Sequence, residues 1–94
     1  MSINLLTASQ IKKQIASQAK QRRLEQNLSR SSLATKSGIP ASTIKRFETT
    51  GNISLGALLA IAWVLDCLTQ FTPLFQQTPI TLYHPPKQRE RGRQ

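Results

Sequence analysis

The chain has 94 residues, with 13 Lys or Arg against 4 Asp or Glu, so its formal net charge is +9. A chain of this length forms at most one small domain, which buries only about 60–70% of the surface of its unfolded form. The positive charge attracts polyanions, so nucleic acid and anionic membranes are the candidate partners. The single cysteine, Cys67, excludes an internal disulfide, and no apolar run follows a positive N-terminal segment, so we expect a cytoplasmic protein.

Charge is distributed unevenly along the chain. Residues 1–50 hold nine basic and two acidic side chains, residues 51–85 hold Asp66 alone, and residues 86–94 hold four basic and one acidic. The longest apolar stretch, 55–68, falls short of the roughly 20 residues that span a bilayer. The pattern predicts a neutral buried helix between two basic flanks, and no membrane partner.

A first helix is predicted from Ala8 to Gln26, a segment that contains no Gly or Pro. An apolar stripe recurs every four residues along it, at Ile11, Ile15 and Ala19. Thr7 or Ser9 provides the N-cap, and Asn27 tolerates the left-handed backbone that often ends a helix.

Two short helices are predicted next. The first begins after the N-cap Ser29 and runs to about Ser37, where Gly38 ends it. The second runs from about Ala41 to Thr49 and follows Pro40, which pre-sets the backbone at a helix start. The residues predicted to face the core are Leu33, Ala34, Ile44 and Phe47.

A fourth helix is predicted from Leu55 to about Asp66, with Ser54 as its N-cap. It is apolar on nearly every side, so it must be covered on more than one side. A fifth, short helix is predicted over 68–75, with Pro73 in or near its first turn.

The remainder of the chain is predicted to lack helices. Residues 78–84 alternate enough to form a short extended strand, although Pro79 confines that strand to an edge or a start. The segment 87–94 is typical of a disordered basic tail. We therefore expect an all-α, five-helix domain over 1–76, and an extended segment with a basic tail over 77–94.

Two short helices joined by a turn that contains Gly, set between a first helix and an apolar one, are the parts of a helix-turn-helix DNA-binding domain. The second helix of such a pair lies in the major groove. Its outer side therefore needs small or hydrogen-bonding residues that let the backbone approach the base edges. Here that side holds Ala41, Ser42, Thr43, Lys45 and Arg46.

The segment LSRSSLATKSGIPASTIKRFETTGNISLGALLAIAWVL resembles the lambda-repressor-like, or Xre, family of bacterial helix-turn-helix regulators, and the resemblance covers roughly residues 9–68. The family's pattern is matched at Leu28-Ser29, Leu33-Ala34, Ser37-Gly38-Ile39, Thr43-Ile44 and Glu48. Arg30 stands where the family usually has Gln. A phosphate clamp is expected there, but the details of base reading do not transfer.

The resemblance implies roles for particular residues. The family's base-contacting positions are occupied by Ala41, Ser42 and Arg46, and Thr43 on the same side is a further candidate. Arg46 is expected to read guanine, because Arg with guanine is the commonest specific contact. Arg23 falls on a position that pairs with Glu48. Contacts to the DNA backbone are expected from Arg23, Ser29, Arg30, Lys36, Lys45 and Asn52.

Helix-turn-helix proteins of this kind generally bind as two-fold dimers, with half-sites about 34 Å apart. Trp63 stands where the family commonly has a polar residue, so it either fills a small core or faces a second subunit. The candidate dimer interface consists of Trp63, Phe71, Leu74 and Phe75.

The sequence does not predict an enzyme. His84 lies beside two prolines without the partners of a metal site or a catalytic base, the four acids are scattered, and no Gly-rich phosphate loop is present. Cys67 is interpreted as a small core residue. We expect no cofactor, no metal and no small-molecule ligand.

Among Xre-type proteins, a short chain with a helix, a strand-like segment and an Arg-rich tail resembles the HipB-type antitoxins, which repress their own operon and bind a HipA-type kinase toxin. The resemblance implies an autoregulating repressor that binds double-stranded operator DNA as a homodimer. One alternative is a stand-alone or phage-type repressor without a toxin. Another is a protein-interaction module whose basic surface binds an acidic toxin or RNA.

Overall fold

The computed structural model describes residues 7–77. These residues form α1 (Ala8–Glu25), α2 (Arg30–Ser37), α3 (Ala41–Thr50) and α4 (Leu55–Val64), followed by a 3-10 turn (Leu68–Phe71). No strand occurs among the described residues, which confirms the all-α prediction. The predicted strand at 78–84 and the basic tail lie outside the described residues.

The structure does not confirm a fifth α-helix over 68–75, because only the four residues of the 3-10 turn are helical there. The N–H groups of Gln70, Thr72 and Leu74 donate to carbonyls three residues earlier, at 3.1–3.3 Å. Pro73 has no N–H to donate to the carbonyl four residues earlier. The α-helical hydrogen-bond ladder is therefore interrupted at this point.

Local capping residues begin the helices where the sequence predicts. Thr7 and Gln10 form a capping box, in which the Thr7 Oγ1 accepts from the Gln10 N–H at 3.1 Å and the Gln10 Oε1 accepts from the Thr7 N–H at 2.8 Å. The side chains of Ser29 and Ser54 cap α2 and α4. Asn27 has φ 58°, the left-handed conformation expected at the end of α1.

Helix α4 ends at Val64, two residues before its predicted end, and Asp66 then adopts φ 61°. Arg22 Nε and Gln26 Nε2 donate to the Leu65 carbonyl at 3.0 and 2.9 Å, and Arg22 Nη2 donates to the Asp66 carbonyl at 3.2 Å. These bonds satisfy carbonyls that a helix end leaves unpaired, and they place a positive charge at the negative end of the helix dipole.

The core lies where α2, α3 and α4 meet. Its central cluster consists of Leu33, Ile44, Ile61 and Leu65. Phe47 is also buried, so the three large core residues predicted for the two motif helices are confirmed, while Ala34 is half-buried.

Helix α1 contributes a different face from the one predicted. Its buried residues are Ala16 and Arg23, seven positions apart. Ile15 and Ala19 are half-buried and Ile11 is exposed, so the predicted stripe is only partly correct. Helix α1 packs mainly against α3, and this contact decides which of its sides faces inward.

The turn between α3 and α4 packs directly against α1. Gly51 is buried and has φ 83°, and a Cβ added to it would lie 2.9 Å from the carbonyl carbon and Cβ of Lys12. Only glycine fits this turn.

In the described part of the chain no single helix is long and apolar enough to cross a membrane. Helices α3 and α4 reach that length and hydropathy only when taken together, and the chain bends by 102° between them.

A groove of about 440 Å³ lies between α1, α4 and the 3-10 turn. Its apolar lining includes Ile15, Ala19, Leu58, Leu65, Phe71 and Leu74. The described residues therefore leave the space between α1 and α4 open, although the α4 side chains that line it, Leu58, Ile61 and Ala62, are apolar.

Candidate nucleic-acid interface

Helix α3 turns its polar side outward. Ile44 and Phe47 are buried and anchor the helix to the core. The exposed residues of α3 are Ala41, Ser42, Lys45, Arg46 and Thr49, while Thr43 is half-buried. The predicted base-contacting side is thus the side that the fold leaves open, and Arg46 lies on it.

Thr49 belongs to the same exposed side but was not among the predicted contacts. It lies three positions after Arg46 and four after Lys45. This helical spacing places Thr49 on the same face as those two residues, and it is the sequence signal that could have identified Thr49 as a contact. Its Oγ1 donates to the Lys45 carbonyl at 2.8 Å, which leaves the hydroxyl oxygen free to accept a hydrogen bond.

The remaining predicted backbone contacts lie on α2 and on the turn before α4. The Ser29 Oγ accepts from the Ser32 N–H at 2.9 Å, so this hydroxyl already serves as a cap. Lys36 is exposed in the last turn of α2. Asn52 is half-buried, and its N–H donates to the Thr50 Oγ1 at 3.0 Å. Contacts from these residues to DNA stay predictions.

An ion-pair network joins the first three helices at Glu48, the carboxylate near the end of α3. Arg23 of α1 binds it with two nitrogens: Nε lies 2.7 Å from Oε2, and Nη2 lies 3.2 Å from Oε1. Arg30 of α2 binds it with Nε, 2.8 Å from Oε1. The predicted pairing of Arg23 with Glu48 is confirmed, whereas the second partner, Arg30, was not predicted.

The burial of Arg23 does not favour its predicted contact with the DNA backbone, which stays a prediction. Only 5% of the residue is exposed, and its Nη1 donates to the Leu28 carbonyl at 2.7 Å. Its guanidinium is therefore enclosed by α1, α3 and the loop before α2. A phosphate cannot reach it without breaking this network.

The two arginines set the protonation of Glu48, whose side chain is 3% exposed. Burial raises the pKa of this carboxyl, but hydrogen bonds and charge from Arg23 and Arg30 outweigh burial and hold the pKa below its ordinary value. Glu48 is thus ionised at neutral pH. The three side chains together carry one surplus positive charge.

That surplus charge is accessible at Arg30, whose side chain is 36% exposed. Its Nε is occupied by Glu48, and its terminal nitrogens make no hydrogen bond among the described residues. A guanidinium held on one edge and open on the other suits a phosphate oxygen. The geometry is compatible with the phosphate clamp expected at this position.

The residues predicted for a dimer interface do not form one patch. Trp63 is 67% exposed on the outer side of α4, so it does not fill the core. Phe71 and Leu74 line the groove between α1 and α4, which Trp63 does not line. Phe75 is fully exposed near the end of the described residues.

Other chemistry is not evident in the described part of the chain. No group of three or more His, Cys, Asp or Glu side chains capable of holding a metal ion occurs between residues 7 and 77. Cys67 is half-buried and packs against the core cluster. His84 lies outside the described residues.

Two short helices with an exposed polar side on the second, braced by α1 and α4, define a helix-turn-helix domain. A family model described as helix-turn-helix, HTH_3, matches residues 20–70, more than half of the chain. The protein belongs to this Xre, or lambda-repressor-like, family of DNA-binding regulatory domains, which are typically not enzymes. No protein of curated function matches the chain.

Proposed function

We propose that the protein is a sequence-specific transcriptional repressor that reads its operator through α3. The observation that carries this proposal is the two-sided character of α3. Ile44 and Phe47 fix the helix to the core, while Ser42, Lys45 and Arg46 project from its open side. A rigidly anchored helix with such a side can present hydrogen-bonding groups to base edges in the major groove.

The charge around α3 supports binding to a polyanion. Arg30, Lys36 and Lys45 are at least partly exposed on the two motif helices, and each can contact a phosphate. Phosphate contacts position a protein on the duplex, and base contacts specify the sequence. Arg46 therefore carries the specificity, and its exposed neighbours carry the affinity.

The test is binding to the DNA upstream of the protein's own gene, compared with a scrambled duplex at fixed salt. We expect the wild type to prefer the upstream DNA, and Arg46→Ala to weaken that binding by about 1–3 kcal/mol. Lys13→Ala is the matched control, because it removes one charge from an exposed position of α1.

If Lys13→Ala changes binding to the two duplexes equally while Arg46→Ala reduces the preference for the upstream DNA, α3 reads the sequence. Equal binding of the wild type to both duplexes, unaffected by Arg46→Ala, would refute operator recognition. That result would favour the protein-interaction module, in which the basic surface binds an acidic protein or RNA.

We further propose that the repressor acts as a homodimer in the bacterial cytoplasm and is the antitoxin of a type II toxin–antitoxin module. The resemblance to HipB-type antitoxins supports this finer role, which includes control of its own operon and binding of a HipA-type kinase toxin. If a kinase-like protein is encoded beside this one, its expression alone should inhibit growth. Co-expression of the two proteins should give a stable complex and restore growth. Without such a neighbour, the protein is a stand-alone or phage-type repressor.

A further inference from the structure

The outer side of α4 is an apolar surface without a partner among the described residues. It consists of Gly56, Leu59, Ala60 and Trp63, which follow the helical spacing of three, four and seven positions. Trp63 and Gly56 are exposed, and Leu59 and Ala60 are half-buried. We call these four residues the α4 outer face.

Gly56 has no explanation among residues 7–77, which the structure describes. Its φ is not positive, and a Cβ added to it would meet no atom within 4 Å. Neither a left-handed backbone nor crowding therefore requires glycine at this position. Glycine inside a helix is also destabilising relative to alanine, so its presence here calls for another cause. The space above Gly56 is open and can hold a bulky side chain from another molecule. A small residue at this position also lets a second helix approach α4 closely.

Charge favours a second copy of this chain as that molecule. The chain carries a net charge of +9, but residues 51–65 contain no charged side chain. Two copies repel each other over most of their surface and meet without repulsion or buried charge at this face. An acidic partner would instead be drawn to the basic surfaces of α2 and α3.

The α4 outer face is also self-complementary. Gly56 and Trp63 lie seven residues apart, about 10.5 Å along the helix axis. If two copies of α4 cross antiparallel about a two-fold axis at Leu59 and Ala60, each Trp63 meets the partner's Gly56. Each Leu59 then meets the partner's Ala60. Large side chains oppose small ones at every position, and each pairing occurs twice, as the symmetry of an isologous interface requires.

We propose that the protein dimerises through this antiparallel contact of α4 with α4 of a second copy, with Trp63 seated over the partner's Gly56. Tryptophan in a close-fitting pocket is a typical anchor of an interface. The inference rests on the proposed function in one respect, because the two-fold axis is what presents two copies of α3 to one operator. The contact excludes Phe71 and Leu74, which line the groove on another side of α4.

Trp63 provides the readout, since it is the only tryptophan in the chain. Sedimentation and tryptophan emission would be followed over a dilution series of the full-length protein without DNA. We expect a dimer whose emission moves to longer wavelength as dilution dissociates it, because each Trp63 then returns to water. The two transitions should have the same midpoint.

Gly56→Glu is the diagnostic variant. The substituted side chain points into open space in the first turn of α4, where a negative charge favours the helix, so the monomer keeps its fold. It should raise the dimer dissociation constant at least tenfold and give red-shifted emission at all concentrations. Gln14→Glu, at an exposed position of α1, makes the same change of net charge and should leave the dimer intact. Circular dichroism would verify the helix content of both variants.

A wild type that sediments as a monomer at all concentrations, or a Gly56→Glu protein that remains a dimer, would overturn the inference. Trp63→Ala provides a second disruption at an exposed side chain and should also give monomers. Failure of the proposed function is distinguishable. A protein that dimerises through α4 but does not prefer its upstream DNA would retain this interface and lose the repressor role.

Discussion

Glu48 shows how a single buried charge can join three helices. Its carboxylate accepts hydrogen bonds from Arg23 of α1 and Arg30 of α2, and it lies near the end of α3. A buried carboxylate without partners would be strongly destabilising, but here both oxygens are occupied. Ionised Glu48 therefore ties the C-terminal part of α3, two residues after Arg46, to α1 and α2.

The stability of the protein should depend on pH through Glu48. Its pKa in the folded state lies below the ordinary value of 4.5, so the unfolded chain takes up a proton at higher pH than the folded chain does. The contribution of Glu48 to stability is therefore complete above pH 4.5 and is lost as the pH falls through that value toward the folded pKa. Urea unfolding at a series of pH values would measure this loss.

Glu48→Gln is the variant that isolates this effect. It removes the titrating group and leaves two arginines beside a neutral amide, so the free energy of unfolding at neutral pH should fall by about 1–3 kcal/mol. The difference between wild type and variant should shrink as the pH is lowered below 4.5. A difference that stays constant across this range would show that Glu48 is not the group responsible.

At the scale of elements, α1 packs mainly against α3, and two further contacts fix it relative to α4 and the turn before α4. Near its N-terminal end, the backbone at Lys12 touches Gly51 in the turn before α4. Near its C-terminal end, Arg22 and Gln26 hold the carbonyls that follow α4. Between these contacts the groove remains open, so the two ends fix α1 relative to α4.

Gly51→Ala and Gly38→Ala make a matched pair that tests the first contact. Both glycines have positive φ and end a helix, so alanine costs about 1–2 kcal/mol at either position. A Cβ at Gly38 meets no atom within 4 Å, whereas at Gly51 it collides with Lys12. We expect Gly51→Ala to lose about 1–3 kcal/mol more in denaturant unfolding. Equal losses would mean that α1 does not press on this turn.

For the whole molecule, the distribution of charge divides the chain into parts with different tasks. Residues 1–50 carry most of the positive charge and contain both motif helices, residues 51–65 are uncharged, and residues 86–94 add three net positive charges. The basic half suits a phosphate backbone, and the neutral part suits burial against another apolar surface. The two proposed contacts, with DNA and with a second copy, thus use separate surfaces.

The basic segment 86–94 should add affinity for DNA without adding sequence preference. Each phosphate that one of its four basic side chains neutralises contributes about −0.9 to the slope of log affinity against log salt, so its deletion should make that slope shallower by at most about 3.6. The ratio of affinities for upstream and scrambled DNA should remain unchanged, because Arg46 is intact. Unchanged affinity and slope in the deletion variant would contradict this role.

The sequence by itself determined the features that depend on near neighbours. Thr7, Ser29 and Ser54 begin helices because their side chains bond amides three residues later, and Gly38 and Gly51 end helices because they reach positive φ without strain. The spacing of Ile44 and Phe47 fixed which side of α3 is buried. The matched family motif added the pairing of Arg23 with Glu48, which spacing alone does not reveal.

Only the tertiary structure decided the contacts between residues far apart in the chain. Arg30 reaches Glu48, Lys12 touches Gly51, and Trp63 stays exposed because of how the helices pack, and no local pattern contains that information. The same packing buries Arg23, which does not favour its predicted contact with a phosphate. Short-range hydrogen bonding and backbone preference can be predicted from sequence, whereas the angles between helices arise from the fit of whole surfaces.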